Sequence, residues 1–433
     1  MCCDVCICKR RLKTLLVEEK DYFKHSSCFE MGRSRRKSFA VTTFPLILSV
    51  LSFAAFGTYL LFYSGGPDHN EELRPLHVEF RGREEYLSEK TDKTTSVSDK
   101  ITVSYPKRLN VPDSAVYPQY RSLLDVVKEW NPDDPDVPKG FTETLQHFNY
   151  SDPNDMIAAI KFRDAEVPFK IFNVPEFDAI AVKWDDHYLS LQFRNLVQSR
   201  RVEKSKNNHF MYWNANLRSN IRFYEPPTEY VDDMPFDRWL RIAQHADSSK
   251  VKNESVHYYF MSNAPPGAKS GSFISRDLGL FSADENNFFV FNVDANKGIQ
   301  CRFGMRGIIA EAHYDSGRNM VAMLKGAKRY ILNPPRECKN LGLIVDQKHP
   351  SYRHSTIDWS DIDQATREGF ASVDAVDTIL QKGEVLYIPS YWFHYIVSLK
   401  YSIQCNSRSG SPPNLEGQAE IEDCLGNKLR LKK

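Results

Sequence analysis

Apolar residues are spaced differently in successive parts of this chain, and the spacing divides it. Residues 40–63 carry no charge and are rich in Leu, Phe, Val and Ala. About 20 such residues cross a bilayer as a helix. Arg33, Arg35, Arg36 and Lys37 precede the run and Glu71 and Glu72 follow it, a bias that predicts a cytoplasmic N-terminus. The run is too long, and too far from Met1, for the apolar core of a signal peptide. A start at Met31 would bring it nearer the terminus, but no small-x-small site stands out at its end, so an uncleaved anchor fits better. The reading is one transmembrane helix over 40–63, a cytoplasmic tail over 1–39, and a lumenal (ER/Golgi) or extracellular remainder.

Residues 64–112 read as a stem, because the polar stretch 88–96 has no apolar period to repay the entropy of ordering it. Leu123, Leu124, Val126 and Val127 then recur at helical spacing, and Pro132, Pro135 and Pro138 end that helix. Residues 167–172 read as a strand entered through Pro168, and 235–243 as an amphipathic helix. After Asn287 strand signals dominate, at 288–291, 306–310, 328–332 and 385–389, with Gly, Pro and Asn between them. Such punctuation predicts a sandwich or barrel. A mostly β domain with peripheral helices is therefore expected over 113–412, with a solvated polar and basic tail over 413–433.

Composition changes the picture little. With 41% hydrophobic and 26% charged residues the chain is ordinary for a globular protein, and 27 Phe and 21 Tyr suit a β-rich core. The 57 basic and 56 acidic residues leave a net charge of +1, so there is no general attraction to nucleic acid. Cys2, Cys3, Cys6, Cys8 and Cys28 lack the partner pair of a zinc site and read as acylated or free. Pairing among Cys301, Cys338, Cys405 and Cys424 stays open. Sequons at Asn149 and Asn253 lie on the proposed lumenal side.

Candidate chemistry centres on His313-Tyr314-Asp315. On a strand, residues two apart share a face, so an imidazole and a carboxylate would point together. With one distant His they make the facial triad of non-haem iron oxygenases. His394 is that candidate, following a strand, a proline turn and the aromatic run Tyr391-Trp392-Phe393. An HxD pair alone occurs often by chance, and its context gives it weight.

That context is a resemblance. Residues from about 288 to 408 resemble the JmjC/cupin-like (cupin_8) Fe(II)/2-oxoglutarate-dependent oxygenases, in particular the asparaginyl-hydroxylase-like branch. It is carried by residues 311–315, by 324–335 (LKGAKRYILNPP) and by 383–394, in the family's order and at similar spacing. The resemblance implies a double-stranded β-helix, the jelly-roll or cupin barrel, with Fe(II) on His313, Asp315 and His394. It gives Lys328 to the distal carboxylate of 2-oxoglutarate, whereas Lys325 fits a surface lysine better. Asn319 and Asn406 match asparagines that line the cofactor pocket. Tyr259 either gives a hydroxyl to the same carboxylate or is a core strand tyrosine. Ala310 stands where some relatives place a hydroxyl, and Arg318 has no assigned role. The implied activity is hydroxylation of a protein side chain, with demethylation the lesser outcome. A catalytically silent cupin-like binding module, and a cupin enzyme using another metal, are the alternatives. Substrate identity and oligomeric state are not legible.

Overall fold

A computed structural model of the chain describes residues 101–105, 119–194, 200–214, 225–249, 252–267, 271–366, 369–410 and 416–426. All belong to the compact unit Lys93–Lys433. The strands are β1 (Arg121–Ser122), β2 (His147–Asn149), β3 (Phe169–Phe172), β4 (Arg200–Ser205), β5 (His209–Phe210), β6 (Glu229–Tyr230), β7 (His257–Ala264) and β8 (Asn296–Gly304). There follow β9 (Ile309–Tyr314), β10 (Asn319–Lys325), β11 (Ala327–Asn333), β12 (Asp374–Gln381), β13 (Val385–Ile388), β14 (Phe393–Ser398) and β15 (Ser402–Ser409).

These strands form two sheets, ordered β1-β12-β11-β14-β9-β5 and β2-β3-β13-β10-β15-β8-β7-β4-β6. From β8 onward the chain changes sheet after β8, β9 and β10, and again after β12, β13 and β14. Every pairing among these last eight strands is antiparallel. That winding is a double-stranded β-helix, and the expected mostly β architecture with peripheral helices is present.

Three apolar layers hold it. Between the sheets, Val321, Met323, Leu386 and Ile388 of one meet Tyr330, Leu332, Val376 and Ile396 of the other. Outside the large sheet, Phe260 and Phe303 pack against Trp239, in one apolar cluster with Phe162, Phe177 and Leu189 from other flanking helices. The helix Phe236–Ser249 shows why those helices form. Its buried Phe236, Trp239, Leu240, Ala243 and Ala246 fall on one stripe, and each large side chain so buried contributes roughly 1.5–3 kcal/mol. Outside the small sheet, Ile379 and Tyr395 meet Leu123, Trp359 and Ile421. The β10–β11 turn needs Gly326, at φ 69°, because a Cβ there would lie 2.3 Å from the Tyr401 carbonyl oxygen.

Two disulfides cross-link the barrel. Cys301–Cys405 joins directly opposite residues of β8 and β15. Cys338–Cys424 fastens the helix Glu416–Cys424. Each closes a loop of on the order of 100 residues, for which chain entropy gives about 4–5 kcal/mol of stabilisation.

Several expectations are corrected. Residues 288–291 are not a strand. Asn287 Oδ1 accepts from the Phe289 and Val290 amides at 2.7 and 2.8 Å, and the Asn287 amide donates back to the Val290 carbonyl. The resulting turn sends Phe288 and Phe289 into an aromatic cluster. The strand expected from 306 starts at Ile309, since Gly307 turns the chain at φ 83°. Part of the tail expected to be solvated is a docked helix with Ile421 buried.

The membrane placement is also corrected. Among the described residues no helix is long and apolar enough to cross a membrane. Residues 40–63, on which the anchor was read, lie outside the described residues, as do the early cysteines and most of the stem. The described residues therefore give no support to a single-pass topology with a lumenal or extracellular domain.

Candidate metal centre and cofactor pocket

The site begins with an irregularity in the β9–β14 ladder. His313 pairs with His394 and Ala310 pairs with Ile396, so Glu311 and Ala312 together oppose Tyr395. Such a bulge re-aims side chains. It keeps His313 on the side where Ala310 joins the inter-sheet layer, while Ala312 packs in the outer one. Asp315 follows the end of β9, and its carbonyl accepts the Tyr391 amide at 2.7 Å. Tyr391 holds φ 65°, a left-handed conformation that costs a non-glycine residue on the order of 1–3 kcal/mol and clusters at functional sites.

The sequence-predicted ligands come together. One donor atom each from His313, Asp315 and His394 lies within 4.8 Å of the others. The two imidazole centroids are 4.2 Å apart, and His394 Nε2 is 3.9 Å from Asp315 Oδ2. His313 Nδ1 lies 2.7 Å from the Glu311 carbonyl oxygen and His394 Nδ1 lies 3.1 Å from that of Trp392. Those acceptors put the proton on Nδ1 and leave the Nε2 lone pairs free for the centre. Burial lowers both imidazoles below their ordinary value, strongly for His313, where the neighbouring His394 and His354 add to it. Burial would raise Asp315, but Arg408, whose Nη1 donates to Oδ1 at 2.6 Å, and the two histidines hold it well below the carboxylate range. Two neutral imidazoles and an ionised carboxylate on one side of a space suit a divalent first-row metal with open positions.

Deeper in the barrel, Lys328 is fully buried and its Nζ donates to Tyr259 Oη at 3.2 Å. Among the described residues no carboxylate pairs with it. Burial, and then the charge of Arg302, pull its pKa down to about 7. A buried ammonium with only a phenol beside it is costly, and an incoming carboxylate would relieve that cost. Tyr259, whose pKa burial pushes up to about 12, therefore stands beside the lysine with its hydroxyl engaged. Asn406 Nδ2 donates to Asn319 Oδ1 at 2.9 Å, both buried on neighbouring strands. Ala310 brings only a methyl group. Arg318, left without a role by sequence, pairs with Glu166 at 2.6 Å. Lys325 pairs with Asp186 at 2.5 Å at the surface, as expected of a strand-end lysine.

Sequence reasoning missed four residues here. Arg408 and Gln300 are hydrogen-bonded to each other, and Gln300 Oε1 also accepts from Arg302 Nη2 at 3.3 Å. His354 stacks on His313 with centroids 5.0 Å apart and 20° between planes. Strand alternation past Asn406 would have found Arg408, whereas His354 comes from a loop without periodicity.

A family model described as a cupin-like domain matches residues 159–407. The tRNA wybutosine-synthesizing protein 5 of Danio rerio is 24% identical over 174 residues, 40% of this chain and 52% of that protein. The JmjC domain-containing protein D of Dictyostelium discoideum is 31% identical over 125 residues, covering 29% and 27% of the two chains. The lysine-specific demethylase JMJ30 of Arabidopsis thaliana is 30% identical over 112 residues, 25% and 24%. The chain thus spans about half the length of the first of these relatives and about a quarter of the others. With more than half of its residues inside the family model and the barrel that the family implies, this chain belongs to the JmjC/cupin-like family.

Proposed function

We propose that the chain is a JmjC-type oxygenase that binds Fe(II) through His313, Asp315 and His394, uses 2-oxoglutarate as co-substrate, and hydroxylates a protein side chain. The observation that carries this reading is one interior with two different chemistries: three metal donors at one end and an ammonium without a carboxylate partner among the described residues at the other. A keto-acid with a second carboxylate matches both. When bound, the metal and co-substrate supply the oxidation, in which O2 and 2-oxoglutarate become succinate and carbon dioxide as a C–H bond becomes C–OH.

The chain's own residues position and exclude. Backbone acceptors fix the tautomers of His313 and His394, Arg408 orients Asp315, and Lys328 with Tyr259 would receive the distal carboxylate. Asn319 and Asn406 line the space between. Val321, Leu332 and Ile396 keep water from the pocket walls. The net charge of +1 gives no general attraction to nucleic acid, which supports a protein substrate, although one relative is named for tRNA modification. Hydroxylation of an N-methyl carbon ends in demethylation, and the relative named as a lysine-specific demethylase makes that the second outcome.

Succinate formation with Fe(II) and 2-oxoglutarate tests the reading, comparing wild type with His313→Ala. Wild type should turn over co-substrate and the variant should not. Equal turnover in the two proteins sinks the assignment. Screening proteins, methylated peptides and tRNA for added oxygen or lost methyl groups then identifies the substrate class.

A further inference from the structure

We propose that Arg302 is a second cation for the distal carboxylate of the co-substrate, which the pocket holds between Arg302 and Lys328. This rests on the 2-oxoglutarate reading above and goes beyond it, assigning a binding and specificity role to a residue outside the family motifs read here.

The placement follows from strand register. Lys328 donates to Tyr259, and Tyr259 shares a face of β7 with Met261. Met261 is the register partner of Arg302 on β8, and Arg302 is in turn paired with Gln404 on β15. Gln404 Oε1 accepts from Tyr330 Oη at 2.6 Å. Tyr330 is two residues from Lys328 on β11 and so shares its face. These register pairings and hydrogen bonds put Arg302 and Lys328 on inward faces of the barrel, near enough for the Arg302 charge to act on Lys328.

The chemistry between these two cations is unbalanced. Arg302 donates to Asn263 Oδ1 at 3.2 Å, to Gln300 Oε1 at 3.3 Å and to the Cys301 carbonyl at 3.3 Å, all neutral acceptors. Among the described residues neither Arg302 nor Lys328 has a carboxylate partner at ion-pair distance. Burial lowers the Arg302 guanidinium from its ordinary value, and the Arg302 charge weighs on Lys328. Glu203, the carboxylate whose charge reaches Arg302, is itself paired with Arg201, so the two cations bordering the pocket still repel, and one anion between them removes the repulsion and adds charge-assisted hydrogen bonds. Ala310 offers no hydroxyl there, so a carboxylate has acceptor positions left over for the guanidinium.

The test is calorimetric binding of 2-oxoglutarate and of 2-oxopentanoate, which has the same keto-acid end but no distal carboxylate, to the Mn(II)-loaded full chain. Wild type should prefer 2-oxoglutarate. Arg302→Met should weaken 2-oxoglutarate by about tenfold or more, the size of a hydrogen bond to a charged group, and leave 2-oxopentanoate unchanged. Arg302→Lys should restore most of the preference. If Arg302→Met does not fold, Arg302→Gln is read in the same way. A wild-type preference that survives undiminished in the neutral variant overturns this inference alone. No preference in wild type overturns the 2-oxoglutarate reading, and this inference with it.

Discussion

Lys170 and Lys328 are both fully buried on strands of one domain, yet their surroundings are opposites. Lys170, on β3, donates to Glu143 at 2.8 Å, to Glu384 at 3.2 Å and to the Ile379 carbonyl at 2.7 Å. Glu143 also accepts from Thr378 Oγ1 and the Ile379 amide, and Glu384 from the Gln381 amide. Burial alone would lower Lys170, but Glu143 and then Glu384 hold it well above its ordinary value. Lys328 has one phenol, and burial and Arg302 act on it unopposed. The first lysine is a completed structural joint between β3 and the β12–β13 turn. The second has no carboxylate partner among the described residues, and in the function proposed above an anionic ligand takes that place.

The largest expected effect breaks the joint. Lys170→Met leaves two carboxylates buried without their cation, a loss of about 3–5 kcal/mol for a buried network. Lys328→Met removes a cation that nothing compensates, so the ligand-free protein should keep or gain stability. Urea midpoints of the two variants check this. If Lys328→Met is the more destabilised of the pair, the contrast is wrong. The same Lys328→Met protein should bind 2-oxoglutarate about 10–100-fold more weakly, for loss of a charge-assisted contact, with its Mn(II) affinity intact.

This contrast was only half legible in the sequence. Alternation placed His313 and Asp315 together, and the aromatic turn before His394 marked the third donor, because short-range periodicity survives folding. Lys328 was found through its resemblance to a family block, since the spacing around it also suits a surface strand end. Lys170 gave no signal, because in Phe-Lys-Ile-Phe a lysine on a solvated face and one buried against Glu143 read alike. Arg302 and Gln300 were missed because they alternate with Ile299, Cys301 and Phe303 and so read as the solvated face of a strand. The helix Glu416–Cys424 was missed because its anchors are one isoleucine and a disulfide. What a sequence conceals here is pairing across long separations.

A smaller effect concerns the metal end, where charges are already matched. Arg408 touches no proposed metal position itself but fixes Asp315 through Oδ1, and is steadied by Gln300. Arg408→Leu should lower Mn(II) affinity by about tenfold, the usual size for a residue supporting a ligand. It should do so without altering the preference for 2-oxoglutarate over 2-oxopentanoate. Electron paramagnetic resonance of bound Mn(II) reads both the affinity and the geometry. An unchanged spectrum and affinity would show that Asp315 is held without Arg408.

The smallest effect is a dependence on pH, whose sign follows from the uncompensated lysine. The tyrosines facing Lys328 are pushed away from neutrality. Burial pushes Tyr259 up to about 12 and Tyr330 well above its ordinary value, Arg302 stays cationic, and Gln404 does not titrate. Glu203, beyond Tyr259 on β4, is raised by burial and is close to Arg201. Lys328 crosses from charged to neutral near pH 7. A bound carboxylate favours its charged form, so binding above that pH must take up a proton. Affinity for 2-oxoglutarate should be flat below about pH 7 and fall above it, by at most about tenfold per unit. Stability of the ligand-free protein should move the other way. Between the folded value near 7 and an unfolded value of about 10.4, the unfolded chain binds more protons, so this lysine's contribution rises with pH. Calorimetry in buffers of different ionisation enthalpy measures the uptake directly. A pH-independent affinity in wild type, or a slope that persists in Lys328→Met, would mean that the anion is held by some other group.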